Sequence, residues 1–246
     1  MSTVRPVLPA LALVALVALA GTAEAGSITI KIGKFSQGTG IGQGGEFKVT
    51  SYDGPLAHAY AGITAYDAGS LFNSFCLERN EQLAGTTNYK LNTATVSGGV
   101  AGGNPDPLSE QAAKLFYAWW TNAWLGAGAT VAYDYSNSTH RTVDAEDMQL
   151  ALWFLENEIT QKELTKFDNG KAQKFVNFAN GVTWSQLGQS KWTGIGDVRV
   201  LNDYDRNGAN RQDTLVVVPL PPAAAPGLAA LGLVGLVGRL RRRRSG

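Results

Sequence analysis

The chain is bracketed by two apolar runs whose flanking charges exclude both ends from a water-soluble core. At the front, Arg5 precedes Val7 to Ala20, an uncharged run interrupted only by Pro9, and Ala23-Glu24-Ala25 follows. About 14 apolar residues are too few for a spanning helix, which needs about 20. A basic start, a short apolar run and small residues at a cleavage position describe a secretory signal peptide over residues 1–25, cut before Gly26. At the back, Ala223 to Gly238 carries no charge, and Arg239, Arg241, Arg242, Arg243 and Arg244 follow it. At about 1.5 Å per residue this run spans roughly 24 Å, near the apolar thickness of a bilayer. The arginines hold the tail in the cytoplasm while the body crosses. Both terminal hydrophobic helices therefore lie outside the domain.

What remains is residues 26–218, 193 residues, the size of one domain. Of the 21 Lys and Arg, six lie in the two ends, and of the 20 Asp and Glu only Glu24 does. The body therefore carries 15 basic and 19 acidic side chains, about −4 in all, a balance that argues against nucleic acid as a partner.

Gly runs at 38–45, 98–103 and 126–128 punctuate short segments. Ser27 to Phe35 alternates Ile28, Ile30 and Ile32, as a strand does. Glu46 to Tyr52 and Ser70 to Leu77 read as further strands, and Asp197 to Leu201 with Thr214 to Val218 as a closing hairpin. Helical spacing appears over Ser109 to Leu125, capped by Ser109 and ended by Gly126. It recurs over Asp144 to Glu158, with Asp144 as cap, and over Lys171 to Asn180. The expected fold is α+β: a β-sandwich or barrel-like framework with a helical insertion of two to three helices.

Cys76 is the sole cysteine, so no internal disulfide is available to an exported chain. It is a buried small hydrophobe, an interchain partner, or a chemically used thiol. Trp119, Trp120 and Trp124 with Tyr117 stack on sugars if exposed, but their helical spacing favours the core; Trp119 and Trp120 cannot both face its centre. Asp203, Asp205 and Asn207 mimic the opening of a Ca²⁺ loop, yet its late glutamate is missing, and a polar turn at Asn207-Gly208 is the simpler reading. His58 and His140 are distant in sequence, and no catalytic constellation accompanies them, so no enzyme activity and no cofactor is expected.

Two resemblances add to this. Pro219-Leu220-Pro221-Pro222, the apolar run and the arginine cluster together resemble the PEP-CTERM sorting signal over residues 219–246, with leucine where the namesake motif has glutamate. The resemblance implies transient inner-membrane insertion, cutting by an exosortase after passage through the secretion machinery and signal peptidase, and release to the cell surface or extracellular matrix. Ser74-Phe75-Cys76-Leu77-Glu78 and Asp147-Met148-Gln149-Leu150-Ala151-Leu152-Trp153 resemble the cysteine strand and glutamine helix of the thioester domains of surface adhesins, with Met148 in place of threonine. That resemblance implies an internal thioester between Cys76 and Gln149, opened by a nucleophile on an extracellular polysaccharide or surface protein. The alternative is a non-covalent polysaccharide-binding or structural matrix protein with an inert, buried Cys76. A position for Gln149 near the start of its helix would place partial positive charge beside the thiol, and Trp153, four residues on, would cover the bond.

Overall fold

The computed structural model describes residues 25–56, 70–83, 85–97, 100, 102–136 and 138–218. The N-terminal apolar run expected to be a signal peptide, the proline motif and the arginine tail lie outside the described residues. Among the described residues eight strands run in chain order: β1 Ala25–Gly38, β2 Gln43–Tyr52, β3 Phe72–Ser74, β4 Thr86–Asn92, β5 Ala94–Thr95, β6 Asp106–Pro107, β7 Val198–Tyr204 and β8 Thr214–Val217. Six of them form one antiparallel sheet in the order β3-β2-β1-β4-β7-β8, and β5 pairs with β6. The edges β3 and β8 meet through the residues that follow β3. Leu77 N–H donates to the Asp213 carbonyl (3.0 Å) and Leu215 N–H to the Phe75 carbonyl (3.2 Å), which sets Cys76 opposite Thr214. The sheet thus curls into a near-barrel, and four helices are inserted between β6 and β7 among the described residues. The fold is α+β, as the alternating and helical patterns predict, with one helix more than expected. No helix among the described residues is long and apolar enough to cross a membrane.

Strand alternation divides the apolar side chains between the two faces of the sheet. Ile28, Ile30, Phe47, Val49, Phe72, Cys76, Leu201 and Val216 pack on one face. Phe35, Phe75, Leu77, Val200 and Leu215 pack on the other, under the helices. Ile32 keeps the alternation, paired with Phe47, but it borders a cleft on that face and is 60% exposed. The pairing of β1 with β2 shifts between Ile32 and Ser36, and Phe35, at an odd offset from Ile32, packs on the opposite face under the helices.

The helices are α1 Glu110–Thr121, α2 Thr139–Leu155, α3 Gln161–Phe167 and α4 Ala172–Gly181. Ser109 caps α1 as expected, accepting from Ala112 N–H, but the helix ends at Asn122, which takes the left-handed conformation (φ 53°) well before Gly126. The expected start of α2 at Asp144 is wrong. Ser138 caps it instead, accepting from Arg141 N–H, and α2 begins five residues earlier. The polar stretch His140-Arg141-Thr142 hides this turn from an apolar-periodicity reading. Asp144 lies inside the helix, 2% exposed, where it accepts from Lys171 Nζ (2.7 Å) and Asp134 N–H (2.7 Å). The unexpected helix α3 carries a reciprocal cap, with Thr160 accepting from Glu163 N–H and Glu163 accepting from Thr160 N–H.

Candidate functional site

The ladder between β2 and β3 pairs Phe47 with Ser74, Lys48 with Asn73 and Val49 with Phe72. Carried two residues further, that register would set Gly45 opposite Cys76. The ladder stops instead, and the carboxamide of Gln149 occupies the gap. Gln149 Nε2 donates to the Cys76 carbonyl (2.8 Å), and Cys76 N–H donates to Gln149 Oε1 (3.1 Å). Gly45 N–H reaches the same oxygen from the other side at 3.4 Å. The side chain of a helix residue thus stands as a rung between two strands. Cys76 presents its N–H and carbonyl to this gap because its other neighbour, Thr214, is paired through the flanking residues.

Glycine makes the insertion possible. A Cβ on Gly44 would lie 2.3 Å from Gln149 Cγ, and one on Gly42 would lie 3.0 Å from the Trp153 ring. The Gly run read from sequence as a turn is therefore also a landing surface for α2. Next to it, a buried ion pair fixes the helix to the strand. Arg141 Nε and Nη2 donate to the two oxygens of Glu46 at 2.7 and 2.6 Å, with both side chains 2% exposed or less. Asn73 Nδ2 (2.6 Å) and the Tyr133 hydroxyl complete the shell, and the guanidinium lies over the Phe35 ring at 4.2 Å.

Two N–H donors on one carbonyl oxygen polarise the amide and stabilise negative charge developing on that oxygen. Both hydrogen bonds to Cys76 lie along the strand edge. The thiol projects off the face of the sheet, and a nucleophile adds to an amide from above its plane. That face opens into a cleft of about 510 Å³ lined by Cys76, Phe47, Arg79, Glu81, Gln82 and Gln212, among others. Cys76 is 1% and Gln149 0% exposed, so water is largely excluded from the junction.

The expected electrostatics of the thiol are reversed. Gln149 is the eleventh residue of α2, far from the N-terminal turn, so the helix end supplies no positive field at Cys76. Burial pushes the thiol well above its ordinary range, and the carboxylates of Glu78, Asp203, Asp213 and Glu81 push it the same way. The resting group is the thiol, not the thiolate. Glu78 is itself pushed up to about 10, by burial first and then by Asp213 and Glu81. Asp213, raised to about 6 mainly by burial, accepts from Val96 N–H, Asn202 Nδ2 and Asp203 N–H. Trp153 is fully buried and packs under the helices with Phe75 and Leu77, on the face opposite Cys76.

The remaining sequence candidates separate. Trp119 and Trp124 are buried at 0% and 1% exposure and Tyr117 at 7%, so the aromatic run of α1 is core; Trp120 is the partly exposed member. Asp205 caps its own turn, accepting from Asn207 N–H (2.8 Å), Ala209 N–H (2.9 Å) and Arg211 (2.7 Å), while Asp203 is buried at 2% exposure. No group of three His, Cys, Asp or Glu among the described residues could hold a metal ion. His140 is exposed and His58 lies outside the described residues, as do Pro219, Leu220, Pro221, Pro222 and the five arginines.

Sequence reasoning reaches Cys76 and Gln149 but misses Gly44, Gly45, Glu46, Arg141 and Glu81. Only the glycines leave a trace in the sequence, as a dense run before a strand. Set beside known proteins, the chain stands without a match: no family model, no curated protein and no solved structure matches it.

Proposed function

We propose that this chain is an exported, surface-sorted envelope or matrix protein that captures a partner covalently through an internal thioester between Cys76 and Gln149. Export and sorting rest on the charge and apolarity of the two termini. The chemistry rests on one observation: the Gln149 carboxamide is seated on the Cys76 backbone with two N–H groups on its oxygen. In closure, a bond forms between Cys76 Sγ and Gln149 Cδ, the Cδ–Nε2 bond breaks, and the thiol proton leaves with the nitrogen as ammonia. In opening, an amine or hydroxyl of the partner bonds to Cδ, the Cδ–Sγ bond breaks, and a proton returns to Cys76. Burial protects the closed bond from water, and the cleft gives a nucleophile its approach.

A second reading has support of its own. The carboxamide already satisfies the backbone of Cys76, and the thiol is held protonated. Both facts suit a matrix protein in which Gln149 closes the barrel seam and Cys76 is inert. Methylamine treatment followed by peptide mapping separates the two. Covalent capture predicts a methylamide on the Gln149 peptide that is lost in Cys76→Ala. An unmodified Gln149 in both proteins would leave the structural reading.

A further inference from the structure

The thiol of Cys76 is buried among carboxylates, so closure and opening of the bond each need a group that takes up and returns a proton. The acids around the cleft differ in how they are engaged. Glu78 Oε2 accepts from Gln212 Nε2 (3.0 Å) and Asp213 N–H (3.2 Å), and Asp213 holds the three donors described above. Glu81 lines the cleft together with Cys76, is half-buried, and takes part in no hydrogen bond or ion pair among the described residues. The two arginines beside it are engaged elsewhere: Arg79 with Glu163 at 2.9 Å and Arg211 with Asp205 at 2.7 Å.

We propose that Glu81 is the proton-transfer residue of the cleft, accepting the proton of the attacking nucleophile and passing it to the departing sulfur of Cys76. This rests on the thioester reading. In the opening step the nucleophile's N–H or O–H proton moves to the Glu81 carboxylate as the new bond to Gln149 Cδ forms. The same proton then goes to Cys76 Sγ as the Cδ–Sγ bond breaks, and Glu81 ends as it began. No other reactant is required. Its environment suits the task. Burial, with Asp213 from the start of β8 and Glu158 from beyond α2, pushes its carboxyl up to about 7, against the opposing pull of Arg211. A general base works best with an affinity for protons close to the ambient pH. Glu78 and Asp203 also face Cys76, but both are almost fully buried and raised in the same direction.

The test uses purified wild-type and Glu81→Gln proteins, first weighed intact and then exposed to methylamine between pH 5 and pH 9. A wild type that lacks no ammonia overturns this inference together with the thioester reading. Where the wild type carries the bond, its opening rate per free amine is expected to rise through an inflection near pH 7 and level off above it. Glu81→Gln is expected to open about a hundredfold more slowly and without that inflection, the usual scale of general-base catalysis. Equal rates and profiles in the two proteins would overturn the role of Glu81 and leave the thioester standing. If Glu81→Gln does not fold or close the bond, the wild-type profile decides alone, and an absent inflection defeats the proposal.

Discussion

Replacing Arg141 by methionine tests whether the buried ion pair, more than apolar packing, fixes α2 against β2. Glu46 is fully buried, and Arg141 supplies two of its four donors, leaving Asn73 and the Tyr133 hydroxyl. Removing one member of such a pair strands a charge in a dry site and costs about 3–5 kcal/mol. For a body of this size each kcal/mol moves Tm by about 2–4 °C, so a loss of about 4 kcal/mol lowers it by about 8–16 °C. The sign of a second change is the sharper part. Adding Glu46→Gln to Arg141→Met removes the stranded charge and leaves a neutral amide whose oxygen accepts from Asn73 and whose NH2 donates to the Tyr133 hydroxyl. The double variant should therefore regain about 2 kcal/mol, since an unmatched amide costs only about 1–3 kcal/mol. Urea and thermal unfolding followed by circular dichroism measure the wild type, Arg141→Met and the double variant. A double variant less stable than Arg141→Met alone would refute the argument from charge.

Three further outcomes follow from the same contacts. Gly44→Val puts atoms where Gln149 Cγ lies, 2.3 Å from the new Cβ, so any Cys76–Gln149 bond should be lost in intact mass, with overpacking costing about 1–3 kcal/mol in urea unfolding. Glu78, raised in the fold from 4.5 to about 10, holds more protons folded than unfolded between those values. Its penalty is absent below about pH 4.5 and grows as pH rises, so stability should fall with pH in that window, and Glu78→Gln should flatten the slope in unfolding series at pH 5 and pH 8. Ser138→Ala should cost about 1 kcal/mol by loss of the α2 cap, whereas the same loss is not expected from capping at Asp144, which lies within the helix.

The parts legible in the sequence are those written in short-range pattern. Ile28 and Ile30, the Ser109 cap and the closing hairpin all announce themselves by spacing or by residue type. The start of α2 does not, because Arg141 is a charged residue made interior by Glu46, a partner 95 positions away. No local pattern marks a buried arginine as core. The pairing of Cys76 with Gln149 came from a resemblance, and its geometry from neither pattern nor spacing. A carboxamide can serve as a ladder rung only where two strands part, and that parting depends on the register of β2 with β3 and on Gly44. The thiol's environment is hidden from the sequence for the same reason, since Glu78, Asp203 and Asp213 meet at Cys76 only after the sheet closes.

The proposed chemistry requires that the sulfur at position 76 and the side-chain carbonyl at position 149 become one group. Weighing the purified, denatured protein intact, with thiol titration alongside, asks this directly. An internal thioester gives a mass lower than the sequence by one ammonia and no titratable thiol, with both returning to the unmodified state in Gln149→Ala. A full mass and one free thiol in the wild type would contradict it.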